Sequence, residues 1–270
     1  MKLFRIIIFS FFISLISFSQ SQREKENYSL HYLLGNPSKA TSDINNPTNY
    51  LMEKPQYVLS YHRFFGIPNW VAWHLDSTWL GSFTRSNNFR ADTTLPAHWY
   101  HVTEKSYRSS GFDRGHVCPS GDRTNSAEDN SMTFLMTNMI PQAANNNRGP
   151  WAALEHYCRE LVREGNELYI YSGGYGIQKM IDSGRVTVPL RTWKIIVVLP
   201  AGENDLERIN DSTRVIAVDM PNSNNEIGKN DDWKTFRVCV DDIERKTGFD
   251  FLSNVPQKIQ SRIEKIIDSK

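Results

Sequence analysis

The sequence contains a short motif whose side chains could hydrolyse a phosphate ester. Residues 113–116 read Asp-Arg-Gly-His, so that an arginine, Arg114, stands two positions before a histidine, His116. A guanidinium group can bind a phosphate with two parallel hydrogen bonds, and an imidazole can exchange a proton near neutral pH. Asn147 and Glu155 follow further along the chain, and their oxygen atoms are suitable ligands for hard cations. These residue types together predict metal-dependent cleavage of a phosphodiester.

His116 is the candidate general base of this reaction. The pKa of an unperturbed imidazole lies at about 6.5, so a histidine can accept a proton from an attacking water molecule without large retuning. The chain has seven histidines, and a surface or capping role is the alternative for any single one of them. The arginine beside His116 favours the catalytic interpretation.

Asn147 and Glu155, which follow the motif in the sequence, each allow two interpretations. Asn147 could supply an amide oxygen to a magnesium ion, which needs few protein ligands, or it could cap the helix that Pro150 begins. Glu155 lies one helical turn after Trp151 and could point back towards the cation. The alternative is an ordinary helix-surface pair with Arg159.

A longer pattern surrounds these residues. It consists of Gly-Phe-Asp-Arg-Gly-His at 111–116 and of residues 137–155, which begin Thr-Asn-Met-Ile-Pro-Gln and end at Glu155. On this pattern the chain resembles the DNA/RNA non-specific endonucleases, the ββα-metal group that includes mitochondrial endonuclease G, over roughly residues 57–256. The resemblance implies an α+β fold with a central, mainly antiparallel sheet and flanking helices in a single domain.

The resemblance also implies a role for each matching residue. His116 would be the base, Asn147 would hold the metal, Glu155 would orient a water molecule, and Asn138 would help to hold the site in shape. We expect the metal to be Mg²⁺, with Mn²⁺ as the alternative. For Asn138, an ordinary turn at the end of a strand is the other interpretation.

Two arginines are expected to bind the scissile phosphate. Arg114 lies in the motif itself, and the second arginine lies upstream, where Arg85 and Arg90 both fit the pattern and we select Arg85. Of the other motif residues, Asp113 is expected to support Arg114 or a backbone group, and Gly115 to serve a turn.

The predicted function is cleavage of DNA and RNA with little sequence specificity, because a substrate held by its backbone offers few base contacts. The resemblance implies products with 5′-phosphate ends. The alternative is a catalytically silent nucleic-acid-binding module of the same fold, but every motif residue is present, which favours the enzyme. A homodimer is a further expected assembly.

The first twenty residues have the pattern of a signal peptide. Lys2 and Arg5 precede an apolar run that ends in small and polar residues by Gln20. We therefore expect export to the periplasm or the medium, and no membrane segment in the mature form. The chain has 31 basic and 30 acidic side chains, so attraction for phosphate must come from a local patch rather than from net charge. Three cysteines allow at most one internal disulfide, and burial of all three as thiols is the alternative.

The elements that position the motif follow from the apolar patterns. Residues 21–55 are polar and predict an irregular arm, and residues 56–270 predict the endonuclease domain. Strands are predicted at 57–61, 70–75, 133–140, 168–171, 192–199, 214–218 and 236–240. Pro150 and an apolar stripe predict a helix that ends near Gly165, and two helices are predicted at 240–251 and 256–267.

Overall fold

A computed structural model describes residues 30–270, so the expected signal peptide, residues 1–20, lies outside the described part of the chain. The strands are β1 Tyr50–Lys54, β2 Tyr57–His62, β3 Ile67–Leu75, β4 Asp113–His116, β5 Met139–Gln142, β6 Asn166–Tyr175, β7 Lys179–Ile181, β8 Val186–Val188, β9 Arg191–Pro200, β10 Arg214–Pro221 and β11 Arg237–Val238. The α-helices are α1 Ala127–Met132, α2 Ala144–Asn147, α3 Pro150–Arg163, α4 Asp205–Arg208, α5 Val240–Thr247 and α6 Gln257–Ile263. Within residues 30–270, no helix is long and apolar enough to cross a lipid bilayer.

A seven-stranded sheet in the order β1-β2-β3-β6-β9-β10-β11 forms the centre, and all of its neighbouring strands are antiparallel. Both faces are buried, because side chains alternate along each strand and both sets are apolar. In β9, Trp193, Ile195 and Val197 face one core cluster, whereas Ile196 and Val198 face the other. The sheet and its flanking helices confirm the predicted α+β class.

The catalytic motif lies on a small unit that covers one face of this sheet. β4 pairs with β5 in a separate antiparallel ladder, and α3 follows after the short helix α2. Helix α3 begins with Pro150 in its first turn, and its predicted apolar stripe from Trp151 to Val162 is buried in the first core cluster. The stripe is therefore core, and the polar face of the helix is left for the site.

The segment before β2 differs from the irregular arm predicted there. Tyr50–Lys54 forms the edge strand β1, paired with β2. Leu34 is fully buried in the second core cluster, and the Trp70 indole N–H donates to Ser38 Oγ at 2.7 Å. The segment before β2 is mostly polar, but its few apolar residues are buried and pack it against the sheet.

The prediction of a strand at 133–140 is also wrong for most of these residues. Residues 136–138 form a 3₁₀ turn, and only β5, which begins at Met139, is extended. The apolar and β-branched residues that suggested a strand are buried, but in a turn. Pro141 lies inside β5 and not at its end, which a two-stranded ladder tolerates because few backbone N–H groups are needed there.

The C-terminal part follows the predictions more closely. The strands predicted at 168–171, 192–199 and 214–218 are all present and longer, and α5 ends at Thr247 with Gly248, which has a φ of 74°, as its C-cap. The strand at 236–240 is reduced to Arg237–Val238, and α6 ends at Ile263. All three cysteines are free thiols; Cys118 and Cys158 are buried.

Burial of His31 predicts a loss of stability in acid. The ring is held in its neutral form, since its Nε2 bonds the Pro55 carbonyl at 2.8 Å and its Nδ1 accepts from the His74 N–H at 3.1 Å. Burial, with the Arg123 charge adding to it, lowers the pKa of His31 to about 3. The unfolded chain therefore binds a proton from about pH 6.5 downwards that the folded chain does not, and stability falls as the pH drops through this window.

We expect His31→Gln to flatten this pH dependence. Between about pH 7.5 and pH 5, the free energy of unfolding of the unsubstituted protein should fall by about 2 kcal/mol more than that of the variant. Urea denaturation at the two pH values measures both. His98→Gln, at an exposed position, is the matched control and should behave like the unsubstituted protein. Equal slopes in all three proteins would contradict the prediction.

Candidate active site

Arg114 and His116 project into one cavity because they are two residues apart on β4. The cavity has a volume of about 340 Å³, and Arg85, Asn147 and Glu155 also line it. Strand β4, helix α2, helix α3 and the loop before β4 each contribute to its wall. Five of the six residues selected from the sequence therefore meet in one place, and the sixth, Asn138, does not.

Gly115 lies in a strand rather than in the expected turn. It is opposite Ile140 in the β4–β5 ladder, and a Cβ atom there would lie 2.3 Å from Gln142 Oε1 and 2.7 Å from Gln142 Cβ. A larger residue would therefore push β5 away from β4. The glycine lets Gln142 pack tightly behind the two motif residues that face the cavity.

His116 is 7% exposed and lies between two aromatic rings. Its ring is 4.7 Å from that of Phe134 in an edge-on arrangement and 5.4 Å from that of Phe89. Its Nε2 is buried and has no hydrogen-bond partner among the described residues. Burial lowers the pKa of His116 well below its usual value, and the charges of Arg85 and Arg114 lower it further. The imidazole is therefore neutral at neutral pH and able to accept a proton.

The two arginines are held by the same aromatic rings. The Arg114 guanidinium carbon lies 4.0 Å from the centre of the Phe89 ring, and that of Arg85 lies 4.8 Å from the centre of the Phe134 ring. Arg85 also donates to Ser120 Oγ at 2.8 Å. Two positive charges thus flank His116, an arrangement that favours an anion in the cavity.

Arg90, the alternative to Arg85, faces elsewhere. Its Nη1 donates to the Ser131 carbonyl at 2.8 Å, and its backbone forms an isolated bridge with Leu135. Arg90 therefore ties the loop to the end of α1. The structure places Arg85, and not Arg90, at the wall of the cavity.

Asn147 is oriented by the first residue of the motif. Its Nδ2 donates to Asp113 Oδ2 at 2.9 Å, and Arg148 also binds Asp113, with its Nε 2.7 Å from the same oxygen. Asn147 Oδ1 accepts no hydrogen bond from the described residues, so it is available to a cation. The helix-cap alternative is not what the structure contains, because Gly149 precedes α3 and no side chain caps that helix.

Glu155 is not paired with Arg159, the alternative considered from the sequence. Arg159 Nη1 donates to Asp122 Oδ1 at 2.9 Å, whereas Glu155 Oε1 lies 3.8 Å from the ammonium group of Lys194. Burial raises the pKa of Glu155, and the charge of Lys194 opposes this rise. Lys194 itself is 1% exposed and lies against the ring of Trp151, at 4.5 Å.

Asn138 lies in the core behind the cavity. Its Oδ1 accepts from the Cys118 N–H at 2.9 Å, and its Nδ2 donates to the carbonyls of Cys118 and Thr133, both at 2.8 Å. The side chain therefore replaces missing backbone hydrogen bonds of the chain after β4. Among the candidate catalytic residues, Asn138 is thus a structural support that does not reach the cavity.

The structure adds Lys194 and Ser120 to the residues that position the site. Lys194 could have been found, because it is a lone charge in the otherwise uncharged run 192–199 of a buried strand. A buried lysine requires a partner, and a buried acid is the usual one. Ser120 gives no comparable signal in the sequence.

The donor set of the cavity fits a hard divalent cation. Asn147 offers an unused amide oxygen and Glu155 offers a carboxylate, and within residues 30–270 neither sulfur nor a second imidazole lines the wall. Mg²⁺ prefers oxygen ligands, keeps several of its waters and is commonly held by one or two protein groups. Asn147 and Glu155 are therefore the residues that would hold it.

The sequence profile of the DNA/RNA non-specific endonucleases matches residues 35–258. The chain belongs to this family. A nuclease from Nostoc sp. is 54% identical over 241 residues, which are 89% of this chain and 87% of that protein. The mitochondrial nuclease EXOG of Danio rerio is 33% identical over 209 residues, which are 72% of this chain and 58% of that protein.

A solved structure agrees with the fold of this endonuclease. A chain in the crystal structure of the EndoG/EndoGI complex superposes with a TM-score of 0.72 and 25% identity, over 86% of this chain and 94% of that chain. The protein is therefore a non-specific endonuclease of a metal-dependent family with nucleic acids as substrates. The matched range includes every residue of the cavity wall described above.

In this endonuclease, we expect Lys194→Met to shift the acid limb of the pH–rate profile to higher pH. Without the ammonium group, the largest of the charges that oppose the effect of burial on Glu155 is lost, so the carboxyl stays protonated over a wider pH range. The profile of kcat/KM against pH measures the shift. Stability at neutral pH should also fall, by about 2 kcal/mol, because a buried charge loses its partner.

Lys258→Met, at an exposed position of α6, is the control for this lysine substitution. It should leave both the profile and the stability unchanged. A Lys194→Met protein that is less stable but has an unshifted acid limb would show that Lys194 supports the core without acting on Glu155.

Proposed function

We propose that this endonuclease cleaves DNA and RNA with His116 as the general base and with Mg²⁺ held by Asn147 and Glu155. The observation that carries the proposal is a neutral, buried imidazole flanked by two guanidinium groups in a cavity that also contains an unused amide oxygen. An acceptor for a proton, a binding site for an anion and ligands for a hard cation are what the reaction requires.

Arg85 and Arg114 bind the scissile phosphate and place the phosphorus near His116. A water molecule attacks the phosphorus, and His116 takes the proton that this water loses as the new P–O bond forms. The bond to the 3′ oxygen breaks, the 3′ oxygen takes up a proton from solvent, and the products carry 5′-phosphate and 3′-hydroxyl ends. The two arginines stabilise the negative charge that builds on the phosphoryl oxygens. A bound Mg²⁺ would supply further stabilisation of this charge.

The contacts proposed here explain weak sequence preference. They involve the phosphate, and a phosphate is the same at every nucleotide. Neither sugar type nor base identity enters the proposed chemistry, so DNA and RNA are both substrates.

The test is incubation of the purified protein with supercoiled plasmid DNA and with a structured RNA, with Mg²⁺, with Mn²⁺ and with chelator. We expect both nucleic acids to be cut with either cation, neither to be cut with chelator, and end-labelling to find 5′-phosphates. Binding of both nucleic acids without cleavage under any of these conditions would identify the silent module instead. Undiminished cleavage in chelator would remove the cation from the proposal.

We further propose that the protein is exported, since residues 1–20 have the pattern of a signal peptide. Mass spectrometry of the protein from its native cells, fractionated into cytoplasm, periplasm and medium, tests this. We expect a mature N-terminus close to residue 21 in an exported fraction. A full-length protein confined to the cytoplasm would contradict the proposal.

A further inference from the structure

A cluster of three acidic side chains lies on the opposite face of the central sheet from the active site. Asp241 and Glu244 belong to α5, and Glu264 follows directly after α6. One carboxylate oxygen from each lies within 4.8 Å of the other two. Ile243 and Ile263, beside these acids, are buried in the second core cluster, whereas α3 packs in the first. The two sites are therefore separated by the sheet.

Glu264 presents an unsatisfied oxygen inside this cluster. The residue is 4% exposed, and its Oε1 is buried without a hydrogen-bond partner among the described residues. No ion pair within residues 30–270 includes Asp241, Glu244 or Glu264. A buried carboxylate oxygen that has neither a donor nor a cation is unfavourable, and two further acids close to it increase the cost.

The surrounding backbone holds the acids in position. The Asp241 N–H donates to the Glu264 carbonyl at 3.2 Å, which joins the start of α5 to the end of α6. The Phe251 N–H donates to Glu244 Oε1 at 2.7 Å and fixes that side chain from the other side. The carboxylates are thus brought together by the fold, at a place where they would otherwise repel one another.

We propose that Asp241, Glu244 and Glu264 bind a calcium ion that links α5 to the end of α6. Ca²⁺ takes six to eight oxygen ligands in flexible geometry and accepts carboxylates in mono- or bidentate form, so three acids and a few waters can complete its coordination. Mg²⁺ demands a stricter octahedron and is reluctant to lose its waters. The cluster contains no sulfur or imidazole, which zinc would prefer.

The test measures the calcium dependence of thermal unfolding in the Asn147→Ala background, which removes one of the two proposed cation ligands of the active site. We expect saturating CaCl₂ to raise the Tm by about 5 °C and the same concentration of MgCl₂ to raise it less. Isothermal titration calorimetry at about 25 °C should find one Ca²⁺ bound per chain.

Substitutions in the same background locate the ion. Glu264→Gln and Glu244→Gln should each abolish both the Tm shift and the calorimetric signal, whereas Glu226→Gln, at an exposed acid outside the cluster, should keep both. Two variants are used so that poor folding of one leaves the test intact. A calcium shift that persists in both glutamine variants would overturn the proposed site. Absence of any calcium effect in Asn147→Ala would also overturn it, and would indicate that Glu264 is simply protonated.

Discussion

His116→Ala should lower the rate of cleavage of plasmid DNA and of RNA by about 10²- to 10⁴-fold, the range typical for loss of a general base. The imidazole is kept neutral by burial against Phe89 and Phe134, and no second histidine of the described part of the chain lies in the cavity wall. Glu155, the other proton acceptor that lines the wall, is assigned to the cation in the proposed mechanism. Steady-state rates with saturating Mg²⁺, at constant pH, measure the loss.

The control for this prediction is His156→Ala. His156 lies on the outer face of α3, where its side chain is 62% exposed and its Nε2 is 3.0 Å from Glu160 Oε1. This variant should keep full activity. Free imidazole should restore part of the activity of the His116→Ala protein, because it can occupy the vacated space and accept the proton. A folded His116→Ala protein with normal activity would remove His116 from the mechanism.

Asn147→Ala should lower activity by at least about 10²-fold and weaken the binding of Mg²⁺ measured by calorimetry. A catalytic cation contributes several kcal/mol of charge stabilisation, and a factor of ten corresponds to about 1.4 kcal/mol. Alanine removes the one amide oxygen that the structure leaves unused in the cavity. The binding measurement separates loss of the cation from a general loss of activity.

Two companion variants make this prediction specific. Asn145→Ala, two residues away, removes an amide that donates to the Ile227 carbonyl at 3.1 Å outside the cavity, and it should leave Mg²⁺ binding unchanged. Asp113→Ala releases the Asn147 amide group to rotate, and it should weaken Mg²⁺ binding by about 10- to 100-fold, as is typical when the partner of a metal ligand is lost. Equal Mg²⁺ affinity in the Asn147→Ala and Asn145→Ala proteins would show that the cation is held elsewhere.

The parts of the fold that could be predicted are those with strong apolar patterns. The stripe from Trp151 to Val162 predicted α3, and the apolar runs 168–171, 192–199 and 214–218 predicted the centre of the sheet. The strand prediction for residues 133–140 was wrong because apolar and β-branched residues indicate burial, and such residues can be buried in a turn as well as in a strand. The prediction of an irregular arm was wrong over residues 30–54 for the opposite reason, since few of their side chains are apolar although several are buried.

The sequence predicted which residues form the candidate active site, but it did not predict the contacts that these residues make. Motif spacing singled out His116 and Asn147, and it left Arg85 and Arg90 equivalent. Contacts between distant residues distinguish the two arginines, such as the bond of Arg85 to Ser120, which joins residues that are 35 positions apart. The partner of Glu155 was missed for the same reason, because Lys194 lies on β9, on the face of the sheet that α3 covers, and is distant from Glu155 in sequence.

The rings of Phe89 and Phe134 couple two properties of this endonuclease that could otherwise vary independently, namely its pH dependence and its affinity for substrate. Phe89 contacts both His116 and Arg114, and Phe134 contacts both His116 and Arg85. A change at either ring therefore alters the working pH range of the enzyme and its affinity for substrate at the same time. A substitution at either ring is therefore pleiotropic, and so is one at Ser120, because it moves the Arg85 charge that lowers the pKa of His116. Evolution or engineering of this endonuclease therefore changes substrate affinity and pH optimum together.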